Sequence, residues 1–99
     1  MELLIPWHAA KESSRLDAQL AKELPPGHAL MGIPVHALAE RQDCDYVLFQ
    51  LNDGSGRFAV VHLTYTFNVS AAWPATEFFS SFAAWEFDRM CPDHLDFVA

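Results

Sequence analysis

Ninety-nine residues with a formal charge of -7, from thirteen carboxylates against six basic side chains, describe one acidic domain spanning positions 1–99, long enough to bury one core and too short for two. The field of such a chain repels phosphate backbones and anionic lipid, so neither nucleic acid nor membrane is an expected partner. No stretch approaches the roughly 20 apolar residues of a membrane span, "MELLIPW" lacks the basic start and long apolar run of a signal peptide, and two cysteines are too few for a disulfide scaffold, which points to a cytoplasmic protein with free thiols and no cofactor.

Along the chain, "SSRLDAQLAKEL" spaces Leu16, Leu20 and Leu24 at intervals of four, which predicts an amphipathic helix with Ser14 and Asp17 as its capping box and "PPG" as its stop. "PVHALAER" predicts a short strand, with Pro34 suited to its start or to an edge. "YVLFQL" and "RFAVVHLTYTF" flank "NDGSG", two β-branched and aromatic runs joined by a glycine-bearing turn, and predict an antiparallel hairpin. Setting Leu51 opposite Arg57 places Phe49 against Ala59 and Val47 against Val61 on a core face that Leu63, Tyr65 and Phe67 continue. The other face then carries Tyr46, Leu48 and Gln50 across from His62, Val60 and Phe58, with Leu38 beside them, and is too apolar for solvent.

"WPATEFF" leads into "SSFAAWEFDRM", a helix predicted to start at Ser80 or Ser81, with Thr76 as a rival start, and to end near Met90 because Pro92 stops it. Its apolar residues exceed one packing face, so burial on more than one side is expected. The predicted fold is therefore a two-layer α+β domain: a helix, a three-stranded antiparallel meander and a C-terminal helix. Double-stranded RNA-binding domains share that order, but they require basic residues where this chain has "TEFFSSFAAWEFDR", and that function is rejected on charge.

The residues able to carry chemistry are few. Cys44, Asp45, His62, Cys91 and His94 could supply zinc ligands, yet no Cys-x-x-Cys pair or spaced His pair appears, so no metal is expected. In "RMCPDH", Cys91 reads as a small apolar residue, Pro92 as the helix stop, and His94 as a side chain near the negative end of the dipole. Cys44 or Cys91 with His62 or His94 could form a nucleophile and base, but neighbouring Asp43, Asp45 and Asp93 would oppose thiolate formation, and inert thiols are expected. His62 faces Tyr46 as a structural histidine. "DGSG" lacks the Lys and following helix of a phosphate loop, aromatics alternate with acids instead of bases, and Trp7, Trp73 and Trp85 read as core more readily than as a pocket.

"DCDYVLFQL", "FAVVHLTYT", "WPATEFFSSFAAW" and "RMCPDH" together resemble a family of short bacterial hypothetical proteins to which no activity is assigned. The resemblance runs from Leu24 to His94. It implies a single-domain bacterial cytosolic protein, carried by Asp43, Cys44, Asp45, Val47, Leu48, Phe49, His62, Thr64, Trp73, Pro74, Thr76, Arg89, Met90, Pro92, Asp93 and His94 among others, with no catalytic role attached. Tyr65 stands where the similar proteins tend to have Trp, and Cys91 falls at a freely varying place.

The expected function is a non-enzymatic protein-interaction module or homodimer, with an immunity or antitoxin-like protein as a specialised form. Its expected contact face is Tyr46, Leu48, Phe58, Val60 and His62, covered by another protein or a second copy. The alternative is a small hydrolase, metal-assisted or working through His62 and a carboxylate from Asp43, Asp45 or Asp93.

Overall fold

In the computed structural model, which describes residues 2–99, the central hairpin forms in the predicted register. Strands β3 (Tyr46–Leu51) and β4 (Phe58–His62) pair Val47 with Val61, Phe49 with Ala59 and Tyr46 with His62. The turn follows its chemistry: Asp53 accepts the Ser55 N–H, and Gly54 and Gly56 take the positive φ that other residues avoid.

The predicted three-stranded sheet is five-stranded, in the order β1-β2-β3-β4-β5 with every neighbour antiparallel. Strand β2 is Val35–Arg41, and the two additions are β1 (Trp7–Ala9) on its outer side and β5 (Thr76–Phe79) beside β4. The first addition has three residues and the second four, lengths at which alternation has almost no signal. Each is stabilised by pairing with a strand distant in sequence, and Thr76 enters β5 where it had been a rival helix start.

Two layers also become three. Alternate strand positions send Val47, Phe49, Leu51, Ala59 and Val61 to one face, under Leu16 and Leu20 of α1 (Ser13–Glu23). Leu48 and Val60 go to the other, under a C-terminal helical segment that brings Trp85 and Met90. A bulge at Leu38 puts two residues of β2 opposite one of β3, so Ala37 joins the first core and Ala39 the second. The fold remains α+β, with an antiparallel sheet between helical layers.

Helix α1 does not use the predicted capping box. Its N-cap is Glu12, without a side-chain cap bond. Ser13 Oγ instead donates to the Ala37 carbonyl at 2.9 Å, and Asp17 Oδ1 accepts the Ala37 N–H at 2.7 Å. Ala37 lies beyond the end of β1, which pairs with Ala39 to Arg41, so these side chains satisfy edge groups that no strand reaches.

The C-terminal segment begins as predicted, with Ser81 Oγ accepting the Ala84 N–H at the start of α2 (Phe82–Trp85). It does not end at Met90. A π-helical turn, Glu86–Met90, in which the Cys91 N–H reaches the Glu86 carbonyl, leads into α3 (Cys91–Val98). Pro92 cannot donate to a preceding carbonyl, and the wider turn places it in the first turn of α3, where that donor is not needed.

Trp85 and Trp7 meet edge to face, with ring centroids 5.2 Å apart. The Trp7 indole N–H has an acceptor, whereas the buried Trp85 Nε1 has none among the described residues. Removing that orphan donor offsets part of the lost volume. Trp85→Phe is therefore expected to lie within about 1 kcal/mol of the parent protein in urea denaturation, against a loss of about 3–5 kcal/mol for Trp85→Ala.

The segment between β4 and β5 is tied to α1 through Glu23, whose buried carboxylate accepts the N–H groups of Thr64 and Tyr65, the Thr64 hydroxyl and the Gln19 amide. His28 fastens the far end of the same segment. Its Nδ1 accepts the Leu30 N–H, which leaves Nε2 to donate to the Pro74 carbonyl at 2.9 Å.

Candidate functional site

The face expected to receive a partner is the floor of the second core. Leu48 and Val60 are buried, Phe58 meets Phe82 edge to face at 5.7 Å, and the chain's own C-terminal segment supplies the cover. The face is apolar, and its occupant lies in the same chain. Tyr46 and His62 form its margin, stacked with centroids 4.6 Å apart, and the Arg89 guanidinium sits 4.8 Å from the Tyr46 ring.

Around Tyr46 the fold assembles a partly buried charge cluster. Arg89 donates to Glu77 at 2.8 Å and to Asp93 at 3.0 Å, Trp7 Nε1 donates to the same Asp93 oxygen at 2.9 Å, and Arg41 lies 3.4 Å from it. Arg41 also grips Asp43 through two hydrogen bonds of 2.8 and 2.7 Å. Burial opposes the Arg89 charge, but Asp93 and Glu77 outweigh it and hold the guanidinium ionised. These contacts join β1, β2, β3 and β5 to the C-terminal helix, and each arginine is met by carboxylates of its own chain.

Two clefts flank the cluster. One of about 180 Å³ is lined by Tyr46, Val60, Thr76, Glu77 and Arg89, smaller than the ~300–1,000 Å³ of sites that enclose a drug-sized ligand. The other, of about 390 Å³, is a polar opening over Arg41, Asp43, Cys44, Asp45 and Tyr65. Cys44 is exposed there, yet desolvation of its sulfur and the adjacent Asp43 push the thiol above its ordinary value of 9.0. That favours the protonated form, a weak nucleophile at neutral pH.

The other sequence candidates are dispersed. Cys44, Asp45, His62, Cys91 and His94 do not converge, and among the described residues no three His, Cys, Asp or Glu side chains are grouped to hold a metal ion. His62 makes no hydrogen bond or ion pair to a carboxylate among the described residues; Asp43 and Asp93 are both engaged with arginine. His94 Nδ1 lies 2.7 Å from the Ile5 carbonyl and pins the N-terminal segment to α3. The tryptophans divide: Trp7 and Trp85 are core, while Trp73 is exposed.

The surface that sequence reasoning missed is the outer side of the C-terminal segment. Phe87 is 79% exposed, Leu95 66% and Val98 54%, at spacings of eight and three residues, with half-buried Cys91 midway between the first two. These intervals repeat one helical face. Its signal was the excess of apolar residues over a single packing side, but ending the helix at Met90 left Leu95 and Val98 unassigned.

No helix among the described residues is long and apolar enough to cross a membrane. Comparison with protein-family profiles, curated proteins and solved structures finds no match to this chain.

Proposed function

We propose that this domain is a non-enzymatic protein-interaction module whose contact surface is the outer face of the C-terminal helical segment. The observation that carries the reading is the exposed line Phe87, Leu95 and Val98. Burying a Phe, Leu or Val side chain is worth about 1.5–3 kcal/mol each, and several large apolar side chains exposed along one helical segment of a small acidic domain are what a binding surface requires. The opposite side of the same segment supports it, because Trp85 and Met90, the bond from Arg89 to Glu77, and the contacts of Asp93 with Trp7 and Arg41 fix the helix to the sheet and present the strip in one orientation. His62 has no hydrogen bond or ion pair to a carboxylate among the described residues, and the protonated state is favoured for Cys44, so neither supplies the catalytic alternative with an assembled pair of groups.

The reading is tested by hydrophobic dye binding. The native protein is expected to enhance bis-ANS fluorescence, and Phe87→Ser with Leu95→Ser to remove most of that enhancement while changing stability by no more than about 0.5 kcal/mol, the usual range for surface substitutions. Absence of dye binding by the folded parent protein would show that the strip is not a continuous apolar surface and would overturn the proposal.

A further inference from the structure

We infer that the occupant of the Phe87–Leu95–Val98 face is a basic amphipathic segment of another protein, with an apolar ridge lying between Phe87 and Leu95 and flanked by Lys or Arg side chains. The inference rests on the interaction reading and deepens it through the charges around the strip. Glu86 and Asp88 flank Phe87, Asp96 follows Leu95, and none of the three forms an ion pair among the described residues. From Glu77 to Ala99 the chain has a single Lys or Arg, Arg89, and its guanidinium is turned inward to Glu77, Asp93 and the Tyr46 ring.

The remaining cations are elsewhere. Lys22 and Arg15 belong to α1, which covers the opposite side of the sheet, and Lys11 immediately precedes it. Arg41 is held by Asp43 and Asp93, and Arg57 lies over Phe78 with Asp53 at 3.5 Å. A second copy docking face to face would therefore set acids against acids around the apolar strip, and like charges across an interface disfavour that pairing strongly. An anionic membrane is repelled for the same reason. A cationic helix or strand meets both requirements at once, burying the strip and neutralising its rim.

The experiment uses the whole chain and three synthetic peptides of about five helical turns each: a Leu/Lys amphipathic helix, its Leu/Glu counterpart, and a Leu/Lys peptide of the same composition with the leucines spread around the helix. Binding is read by anisotropy of the labelled peptide. The amphipathic Leu/Lys helix is expected to bind, and to weaken roughly tenfold as salt rises from about 0.05 M to about 0.5 M. The Leu/Glu helix is expected not to bind and the spread-leucine peptide to bind more weakly.

Phe87→Ser, and Glu86→Gln combined with Asp88→Asn and Asp96→Asn, are each expected to lower affinity about tenfold with the circular dichroism and Tm of the parent protein retained. The neutral set guards against misfolding by a charge reversal. Equal binding of the spread-leucine peptide, or unchanged affinity in these variants, would overturn the inference. Binding of the Leu/Glu helix that Phe87→Ser abolishes would overturn the basic partner and leave the interaction surface standing. Failure of every peptide, with a parent dimer that Phe87→Ser dissolves, would make a second copy the occupant; failure of every peptide without a dimer would overturn both readings.

Discussion

Replacing Glu23 with alanine is expected to cost about 3 kcal/mol, a large share of the ~5–15 kcal/mol that holds a domain of this size together. The Glu23 side chain is 1% exposed and accepts the Thr64 N–H at 2.6 Å, the Thr64 hydroxyl at 2.8 Å, the Tyr65 N–H at 2.9 Å and the Gln19 amide at 2.8 Å. Two consecutive backbone donors converge on one carboxylate, and the second of them belongs to Tyr65, which adopts φ +54, a conformation uncommon outside glycine. Asn68 adds a clasp from its amide to the Glu23 carbonyl at 3.1 Å. Without the carboxylate, the partly buried donors of Thr64, Tyr65 and Gln19 lose their acceptor. Equilibrium urea denaturation measures the loss, and a change below about 0.5 kcal/mol would mean that the segment after β4 holds its own shape.

The same contact predicts an acid limit. Burial by itself raises the Glu23 pKa, but the donors from Thr64, Gln19 and Tyr65 together outweigh it and hold the carboxyl below its ordinary value of 4.5. A folded value below the unfolded one means that the unfolded chain binds the proton first as acid is added. The contribution is therefore complete above about 4.5 and is lost as pH falls through the folded value. The stability gap between the parent protein and Glu23→Gln is expected to narrow in that acidic window and to stay constant above it.

How much of this was legible depends on how local each cause was. The hairpin register was readable because one turn and two alternating runs determine it, down to Tyr46 facing His62. Ser81 was readable because an N-cap acts within three residues. Strand β1 was not, since "WHA" becomes a strand only by pairing Trp7 with Arg41 across 34 positions of sequence. Strand β5 failed for the same reason. Pro92 misled in a different way: it is a reliable stop in an ordinary α-helix, and only the π-helical turn before it lets the chain continue. That single step hid α3, and with it Leu95 and Val98 of the outward strip, whereas the cover of Leu48 and Val60 comes from Trp85 and Met90, within the part of the helix that was predicted. The acids Asp17 and Glu23 look in sequence like the solvent side of an amphipathic helix, yet they bind the backbone of Ala37 and of Thr64 and Tyr65; nothing in their spacing announces a partner so far along the chain.

The second large effect is expected at Asp93, which the sequence offered as one of three candidate catalytic carboxylates. Asp93→Ala should lower stability by about 3 kcal/mol. Its Oδ2 accepts from Trp7 Nε1 and Arg89 Nε and neutralises Arg41, in a cluster where the side chains of Asp93, Arg41 and Arg89 are all largely shielded from water. Truncation leaves the indole donor without an acceptor beneath α3 and removes the charge that the two guanidinium groups share, although Asp43 and Glu77 still hold their other sides. Trp7→Phe removes one of those donors, so Trp7→Phe and Asp93→Ala are expected to be non-additive by about 1 kcal/mol in a double-mutant cycle. A loss below about 0.5 kcal/mol for Asp93→Ala would show that the cluster is ornamental to stability. The consequence reaches the binding face, because Leu95 and Val98 lie beyond Asp93 on a helix with no fully buried residue of its own. With that anchor cut, amide exchange should accelerate through α3 while α1 keeps its protection. Affinity for the amphipathic Leu/Lys helix should then fall although no residue of the strip has changed, which is the mark of a residue that positions the surface without belonging to it.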